Sequence, residues 1–276
     1  MTPEGAAAEV EDPRPGDPSA SPVRPPRSPR PEGRVRGLLR LLGRDEKGEA
    51  VAWAGALARP GGEALGGGAL GRLDATAKRV LDVALSGAGL LVSLPVSLLL
   101  AAALVAEDGG PVFYAQERVG RGGGTFTGLK FRSMRPLADG EAEHQAAERE
   151  ADRITRVGRL MRATALDELP QLWNIFRGDM SFVGPRALMP REAEPGSDGR
   201  PVPLQEVPGY RERHSVRPGL TGMAQVHLRR DATRLQKFRY DLLYVRTRTL
   251  RLDLALIARS VWISLRGAWP EVGREA

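Results

Sequence analysis

The chain has 276 residues, of which 41% are apolar and 5% aromatic, and its formal charge is +7. It contains no cysteine, which excludes a disulfide scaffold, a thiolate nucleophile and cysteine-ligated metals. The three histidines, His144, His214 and His227, are too far apart in the sequence to predict a zinc site, so any metal is expected to be held by oxygen ligands.

The N-terminal part of the chain has the composition of a disordered extension. Residues 1–33 contain nine prolines and no aromatic residue, so they cannot bury enough apolar surface to offset the entropy that folding would cost. A short amphipathic stretch at residues 35–42 is followed by a glycine-rich linker. We therefore predict that residues 1–77 form a disordered tail and linker ahead of the folded part.

A long apolar segment follows at residues 80–106, with Asp82 as its single charge. Its length suits a membrane segment, because about 20 apolar residues cross a bilayer, although a buried core helix is the competing interpretation. Pro95 removes a backbone donor in the middle of the segment and predicts a kink there. Basic residues stand on both flanks, so neither flank favours translocation. We therefore favour a re-entrant membrane helix over residues 78–108, and an ordinary span is the alternative.

Residues 109–268 are predicted to form a soluble domain. Two short strands are predicted at residues 111–116 and 126–132, on either side of a glycine-rich stretch. Residues 136–152 are acidic and predict a loop or a solvated helix, whereas residues 153–178 predict two helices that stop at Gly178. The last element, at residues 240–265, is predicted to be one basic amphipathic helix of the kind that lies on an anionic membrane surface, followed by a tail at residues 269–276.

The most informative local sequence is Ala165-Leu-Asp-Glu-Leu-Pro170. Proline favours the first turn of a helix, so Asp167 and Glu168 are expected at or just before a helix N-terminus, where backbone amides point. Thr164 followed three residues later by Asp167 also matches a capping box. A capping role is therefore the competing interpretation of these two acids.

Cationic side chains accompany this pair of acids. The candidates for anion binding are Lys130, Arg132, Arg153, Arg156, Arg159, Arg162, Arg186 and Arg217. The planar guanidinium group of arginine suits phosphate oxygens, although each arginine taken alone is more simply explained as a solvated or lipid-facing charge. Together with two carboxylates they favour phosphate chemistry assisted by Mg²⁺, which prefers one or two carboxylates plus substrate oxygens.

A series of short motifs runs from Lys78 to about Leu265. They are K-R-x-x-D at 78–82, the apolar run with Pro95, GPVFYAQERVG at 110–120, KFRSM at 130–134, RITRVGRLMR at 153–162, LDELPQLWN at 166–174, GDMSFVGPR at 178–186, RPGLTGMAQV at 217–226 and D-x-x-Y at 241–244. In this order and spacing the sequence resembles the bacterial sugar transferases, the monotopic polyprenyl-phosphate phosphoglycosyl transferases.

The resemblance implies an α/β, mostly helical cap on the cytoplasmic face of the bacterial inner membrane, carried by a re-entrant helix that breaks at Pro95. It implies that Asp167 is the nucleophile that attacks the β-phosphate of a UDP-sugar, and that Glu168 is its acid/base or metal-positioning partner. Mg²⁺ would be the cofactor, held by Asp167 and Glu168. The acceptor would be undecaprenyl phosphate in the membrane lipid, and the product would start an exopolysaccharide or another surface glycan. The expected phosphate-binding residues are Lys130, Arg132, Arg162, Arg186 and Arg217.

Two positions depart from the family pattern. Leu94 precedes Pro95, and Ala165 precedes Leu-Asp-Glu, where serine is common in the family; neither change touches the acid pair. The competing functional class is a non-enzymatic, membrane-tethered protein that binds nucleic acid, suggested by the excess of arginine. Its arginines are not interleaved with stacking aromatic residues, so we expect no nucleic-acid partner. A second copy of the chain is a further expected partner, in a homodimer.

Overall fold

The computed structural model describes residues 69–135, 153–195, 200–229 and 231–266. The predictions for residues 1–68 of the N-terminal extension, for the acidic stretch at 136–152 and for the tail at 269–276 lie outside the described residues. Everything that follows concerns the described part of the chain.

The longest element is helix α1, Ala69–Asp108, with 40 residues. It begins nine residues before the predicted start of the membrane segment, and it is long and apolar enough, by length and composition, to cross a membrane. Pro95 lies inside it, and the helix continues through this residue without an interruption. The structure thus contains the predicted apolar helix, while its re-entrant path stays a prediction.

An antiparallel hairpin follows α1. Strands β1, Phe113–Val119, and β2, Thr125–Phe131, pair from Phe113 opposite Phe131 to Val119 opposite Thr125. The turn between them needs positive φ angles, 75° at Gly122 and 85° at Gly123, which glycine adopts without strain. Both predicted strands around the glycine-rich stretch are therefore confirmed.

Two short helices come next, as predicted. Helix α2, Arg156–Thr164, is capped by the Thr155 hydroxyl, which accepts from the Gly158 amide at 2.8 Å. A 3-10 turn, Leu166–Glu168, connects α2 to helix α3, Gln171–Arg177. Gly178 ends α3 in the left-handed conformation, with φ 104°, which confirms its predicted role as a stop.

The remaining elements are short until the last two helices. They are β3 (Ser181–Val183), β4 (Ala193–Pro195), β5 (Pro201–Pro203), α4 (Tyr210–Arg213), β6 (Gly219–Thr221), α5 (Met223–His227), α6 (Arg234–Thr247) and α7 (Leu250–Arg266). Strand β3 pairs in parallel with β6, and β4 pairs in antiparallel fashion with β5. The predicted α/β, mostly helical fold is confirmed at this level.

The prediction of one helix over residues 240–265 was wrong. The chain turns out of α6 at Arg248, whose ψ angle of 131° is extended, and starts again at α7. The Thr249 hydroxyl accepts from the Leu252 amide at 3.2 Å, so Thr249 acts as the N-cap of the new helix. Thr249 therefore divides residues 240–265 into two helices, although apolar residues continue at helical spacing on both sides of it.

Four buried clusters are found in the described part of the chain, and two of them position the site. The larger one packs α6 and α7 on α5 and β3, and it includes Val183, Met223, Leu243, Leu252 and Leu256. The second joins helix α1 to the domain, because Leu100 and Leu104 of α1 pack with Phe131 of β2 and Met161 of α2. The end of α1 is thus part of the core of the domain that carries the candidate site.

Candidate active site

The two predicted catalytic acids lie where the sequence placed them, just before a helix. Asp167 and Glu168 belong to the 3-10 turn between α2 and α3, which we call the acidic turn. The neighbouring side chains of Leu166 and Leu169 pack on the cluster that contains Leu100 of α1. The acids are therefore held beside helix α1 by the apolar residues on either side of them.

The capping interpretation of these acids does not fit the geometry. Thr164 lies in the last turn of α2, where its hydroxyl donates to the Leu160 carbonyl at 2.8 Å. Neither the acidic turn nor α3 has a side-chain cap. The turn begins at Ala165, the single non-glycine residue with positive φ in the described ranges, at 56°. Held strain of this kind is frequent at functional sites.

Glu168 forms an ion pair with Lys130 of β2, with 2.6 Å between Oε1 and Nζ. This brings together two predicted site residues that are 38 positions apart in the sequence. Burial raises the pKa of the Asp167 carboxyl above its usual range, and the positive charge of Lys130 is the largest influence in the opposite direction. The negative charge of Glu168 raises this pKa further, whereas Arg162 lowers it. The pKa of Asp167 is therefore affected by burial and by the charges of Lys130, Glu168 and Arg162.

An open cleft lies next to the acidic turn, between the β1–β2 hairpin and the segments that follow β3 and lead into β6. Its walls are formed by Tyr114, Gln116, Arg118, Phe126, Gly128, Lys130, Glu168, Gln171, Met180, Arg186, Ala187, Gly219 and Leu220. Three of the predicted residues, Lys130, Glu168 and Arg186, meet in this cleft. The arrangement places three cations, Arg118, Lys130 and Arg186, and the acid Glu168 around a space that is open to solvent. Asp167 precedes Glu168 in the acidic turn and does not itself line the cleft.

Arg118 is a cleft residue that the sequence reasoning did not assign. Its guanidinium donates to the Ala187 carbonyl at 3.2 Å and to the Gln116 side chain. Burial lowers the pKa of Arg118, and the positive charge of Arg186 lowers it further, so the two guanidinium groups repel each other. A bound anion would relieve that repulsion. The signal that could have identified Arg118 is its place in the GPVFYAQERVG motif, two residues from Gln116.

A buried charge network holds the backbone of Arg186 in place. Arg213 is 1% exposed, and its guanidinium pairs with Asp241 at 2.9 Å and donates to the Arg186 carbonyl at 2.7 Å. The guanidinium also lies 4.6 Å from the centre of the Phe238 ring. Because Asp241 belongs to the D-x-x-Y motif, this motif reaches the cleft through the backbone of Arg186.

Three further predicted phosphate-binding residues lie elsewhere. Arg132 is buried and forms an ion pair with Asp108 at the end of α1. Arg217 donates through Nε to the Gly178 carbonyl at 2.8 Å. Neither Arg132 nor Arg217 lines the cleft. Arg162 donates to the Ser133 hydroxyl at 2.9 Å and acts on Asp167 through its charge.

The K-R-x-x-D motif attaches α1 to the domain. Lys78 donates to Asp253 at 2.7 Å, and Arg79 donates to the carbonyls at the end of α3, also at 2.7 Å. Asp82 accepts from the Phe182 amide at 3.0 Å. At the other end of the helix, the Glu107 carboxylate accepts from the first two amides of α2, at 2.6 and 3.0 Å. Both ends of the apolar segment are therefore bound to the same domain.

Residues 73–267 match the family model described as "Bacterial sugar transferase". The chain is 43% identical over 191 residues to a UDP-glucose:undecaprenyl-phosphate glucose-1-phosphate transferase of Caulobacter vibrioides, which covers 67% of this chain and 68% of the relative. It is 36% identical over 203 residues to an undecaprenyl-phosphate galactose phosphotransferase of Salmonella typhimurium, covering 68% of this chain and 40% of that protein. It is 35% identical over 208 residues to the exopolysaccharide production protein ExoY of Rhizobium meliloti, covering 70% of this chain and 88% of the relative. These similarities give no support to the nucleic-acid alternative.

Proposed function

Because the chain belongs to the bacterial sugar transferase family, we propose that it transfers a sugar-1-phosphate from a UDP-sugar to undecaprenyl phosphate and releases UMP. The family and the enzyme class predicted from the sequence, a phosphoglycosyl transferase, are confirmed by the family match and by the names of the relatives. Those names supply the donor and acceptor of the proposal, and the name of the Rhizobium relative supplies exopolysaccharide production as its setting.

The observation that carries the proposal is the position of the acidic turn. On one side of it, Glu168 and Lys130 face an open cleft that also holds Arg118 and Arg186. On the other side, its leucines pack against the membrane helix. A water-soluble, phosphate-bearing donor in the cleft would therefore lie next to Glu168, and a lipid-borne acceptor would reach the acidic turn from the side of helix α1.

The proposed reaction has two steps on Asp167. In the first, a carboxylate oxygen of Asp167 bonds to the β-phosphorus of the UDP-sugar, the bond from that phosphorus to the bridging oxygen breaks, and UMP leaves with the bonding electrons. In the second, an oxygen of undecaprenyl phosphate attacks the same phosphorus and frees the carboxylate. Lys130, Arg118 and Arg186 would neutralise the charge on the phosphates, while Glu168 would move a proton or position the metal.

Mg²⁺ is part of the proposal. Within the described ranges, groups of three or more Asp, Glu, His or Cys side chains that could form a complete metal site are absent. Two consecutive carboxylates are nevertheless what Mg²⁺ commonly takes from a protein when substrate phosphates supply the other oxygens. Asp167 and Glu168 would hold the ion. When bound, it would offset negative charge on the donor diphosphate.

We further propose that α1 enters and leaves the membrane on one face, with the domain on the cytoplasmic side of the inner membrane. Arg79 and Glu107 are about 42 Å apart along a straight helix, more than the ~30 Å of a bilayer core, yet both bind the same domain. Between them, all residues from Leu91 to Leu99 are exposed except Ser93 and Ser97, which are half-buried. The exposed apolar middle and the two attached ends support a segment that dips into one leaflet.

The decisive experiment separates the two steps. UDP-glucose, UDP-galactose and UDP-N-acetylhexosamines, each with Mg²⁺ and without lipid, should release at most one UMP per enzyme and leave labelled sugar-phosphate on the protein when the donor is correct. Asp167→Asn should lower the rate of this burst by at least about a thousandfold, since an amide is a poor nucleophile. Asp231→Asn changes an exposed acid outside the cleft and is the matched control. Near-normal turnover in Asp167→Asn, or no retained label in the wild type, would contradict the covalent step.

A further inference from the structure

The structure also carries an aromatic surface that the proposed chemistry does not use. The rings of Trp173 and Phe176 on α3 stack with their centres 5.9 Å apart and their planes 23° apart. The two side chains are 47% and 38% exposed. We call them the aromatic pair. We propose that the aromatic pair binds the isoprenoid chain of the acceptor where it leaves the acidic turn, an assignment that rests on the function proposed above.

The first argument is position along the chain. Trp173 comes five residues after Glu168, in the first turn of α3, which begins three residues after the acidic turn. The phosphate of the acceptor has to reach Asp167, while the first isoprene units behind it have to stay on apolar surface. Large exposed apolar side chains directly beyond the acids give those units such a surface, and burying apolar area is favourable at roughly 25 cal/mol per Å².

The second argument is continuity with the membrane helix. The edge of the Phe176 ring lies 3.5 Å from the point that a Cβ on Gly87 would occupy, so α3 and α1 are in direct contact there. Leu91 lies one helical turn further along α1 on the same face as Gly87 and is 75% exposed. An apolar path therefore runs from the exposed apolar part of α1, over Phe176, to Trp173.

The third argument separates the acceptor from the donor. Gln171 lines the cleft, and Trp173 lies about 200° further around the axis of α3, on the opposite side of that helix. The polar, charged donor fits the cleft with its arginines. The aromatic pair lies outside the cleft and offers no charge to a diphosphate, so its chemistry fits the hydrocarbon part of the acceptor.

The test uses a second tryptophan as a matched control. Trp262 on α7 is 54% exposed and also has a partner within its own helix, since the Arg266 guanidinium lies 4.2 Å from its ring centre. The full chain in detergent is assayed with undecaprenyl phosphate and with farnesyl phosphate. Trp173→Ala should raise the KM for both acceptors about tenfold and leave the UMP burst without lipid unchanged. Trp173→Phe should restore most of the lost affinity, and Trp262→Ala should stay within about twofold of the wild type.

Three results would overturn the assignment. Equal increases in acceptor KM for Trp173→Ala and Trp262→Ala would mean that the aromatic pair is a general membrane anchor, a common role for interfacial tryptophan. An unchanged acceptor KM in Trp173→Ala would mean that the aromatic pair does not bind the acceptor. Loss of the burst in Trp173→Ala would place its effect in the donor step instead. Absence of UMP release by the wild-type chain with every donor would overturn the proposed function itself, which keeps the two failures distinguishable.

Discussion

Lys130 Nζ and Glu168 Oε1 lie 2.6 Å apart, and this ion pair stands directly beside Asp167. It joins strand β2 to the acidic turn across 38 residues of sequence. Its two members act on Asp167 in opposite directions: the positive charge lowers the pKa of that carboxyl and the negative charge raises it, on top of the larger increase caused by burial. The ion pair therefore modifies the pH range in which Asp167 is ionised, in addition to the larger effect of burial.

The first prediction concerns the acid limb of the UMP burst. A nucleophilic carboxylate has to be ionised, so the burst rate should fall as pH drops through the raised pKa of Asp167. Lys130→Met removes the charge that lowers this pKa and should move the acid limb to higher pH. Glu168→Gln removes a charge that raises it and should move the limb to lower pH, whatever it does to the maximal rate. Single-turnover rates between pH 4 and pH 8 measure both shifts. Shifts in the same direction would contradict the electrostatic account.

The second prediction concerns the repelling pair Arg118 and Arg186. If the donor diphosphate relieves this repulsion, Arg118→Gln and Arg186→Gln should each weaken donor binding by roughly 10- to 100-fold, as expected for a charged hydrogen bond. The measurement is the UDP-sugar concentration that gives half of the maximal burst rate. Arg229→Gln, an exposed arginine paired with Asp231, is the control and should have no effect. Unchanged half-saturation in both cleft variants would contradict the assignment.

The sequence was informative where local chemistry decides the structure. The acidic turn precedes Pro170, the hairpin turn falls on glycines, and Gly178 ends α3, because each depends on residues that are neighbours in the chain. Which cations face the cleft could not be predicted in the same way. Lys130 and Arg132 are two residues apart, yet Lys130 meets Glu168 and Arg132 meets Asp108, and both pairings are set by the path of the chain through space.

The break between α6 and α7 could not be predicted from hydrophobic periodicity. Apolar residues continue at helical spacing on both sides of Thr249, so periodicity favours one helix. The Thr249 hydroxyl caps the Leu252 amide, and α7 then packs into the core through Leu252 and Leu256. The local capping bond and the distant packing together override the periodic pattern. The capping residue can be recognised in the sequence, whereas the packing of α7 into the core cannot.

The third prediction separates the role of Arg132 from that of the cleft arginines. Its ion pair with Asp108 is buried, so Arg132→Met should leave an unpaired acid and lower the free energy of unfolding by about 3–5 kcal/mol. The half-saturating donor concentration of the protein that remains folded should not change. Because replacing both members of a buried pair by apolar side chains is often nearly neutral, Arg132→Met combined with Asp108→Leu should recover much of the loss. Thermal unfolding in detergent measures stability, and a specific loss of donor affinity in Arg132→Met would return Arg132 to the phosphate-binding group.

The last prediction concerns the path of α1. Single cysteines at Thr76, before the apolar segment, and at Gly124, after it, are exposed and introduce the only thiols in the chain. Gly124 is preferable to Gly123 because its φ of −67° suits any residue, whereas that of Gly123 is 85°. If α1 enters and leaves on the cytoplasmic face, an impermeant thiol reagent should label both sites in inverted vesicles and neither in intact cells. Labelling of the two sites from opposite sides would mean a true span.

The same labelling test shows whether Pro95 sets the topology. Pro95→Leu should leave the labelling pattern unchanged, because the polar contacts at both ends of α1 hold it to one domain. Labelling of Gly124→Cys from outside the cell in the Pro95→Leu variant would instead mean that the proline sets the topology.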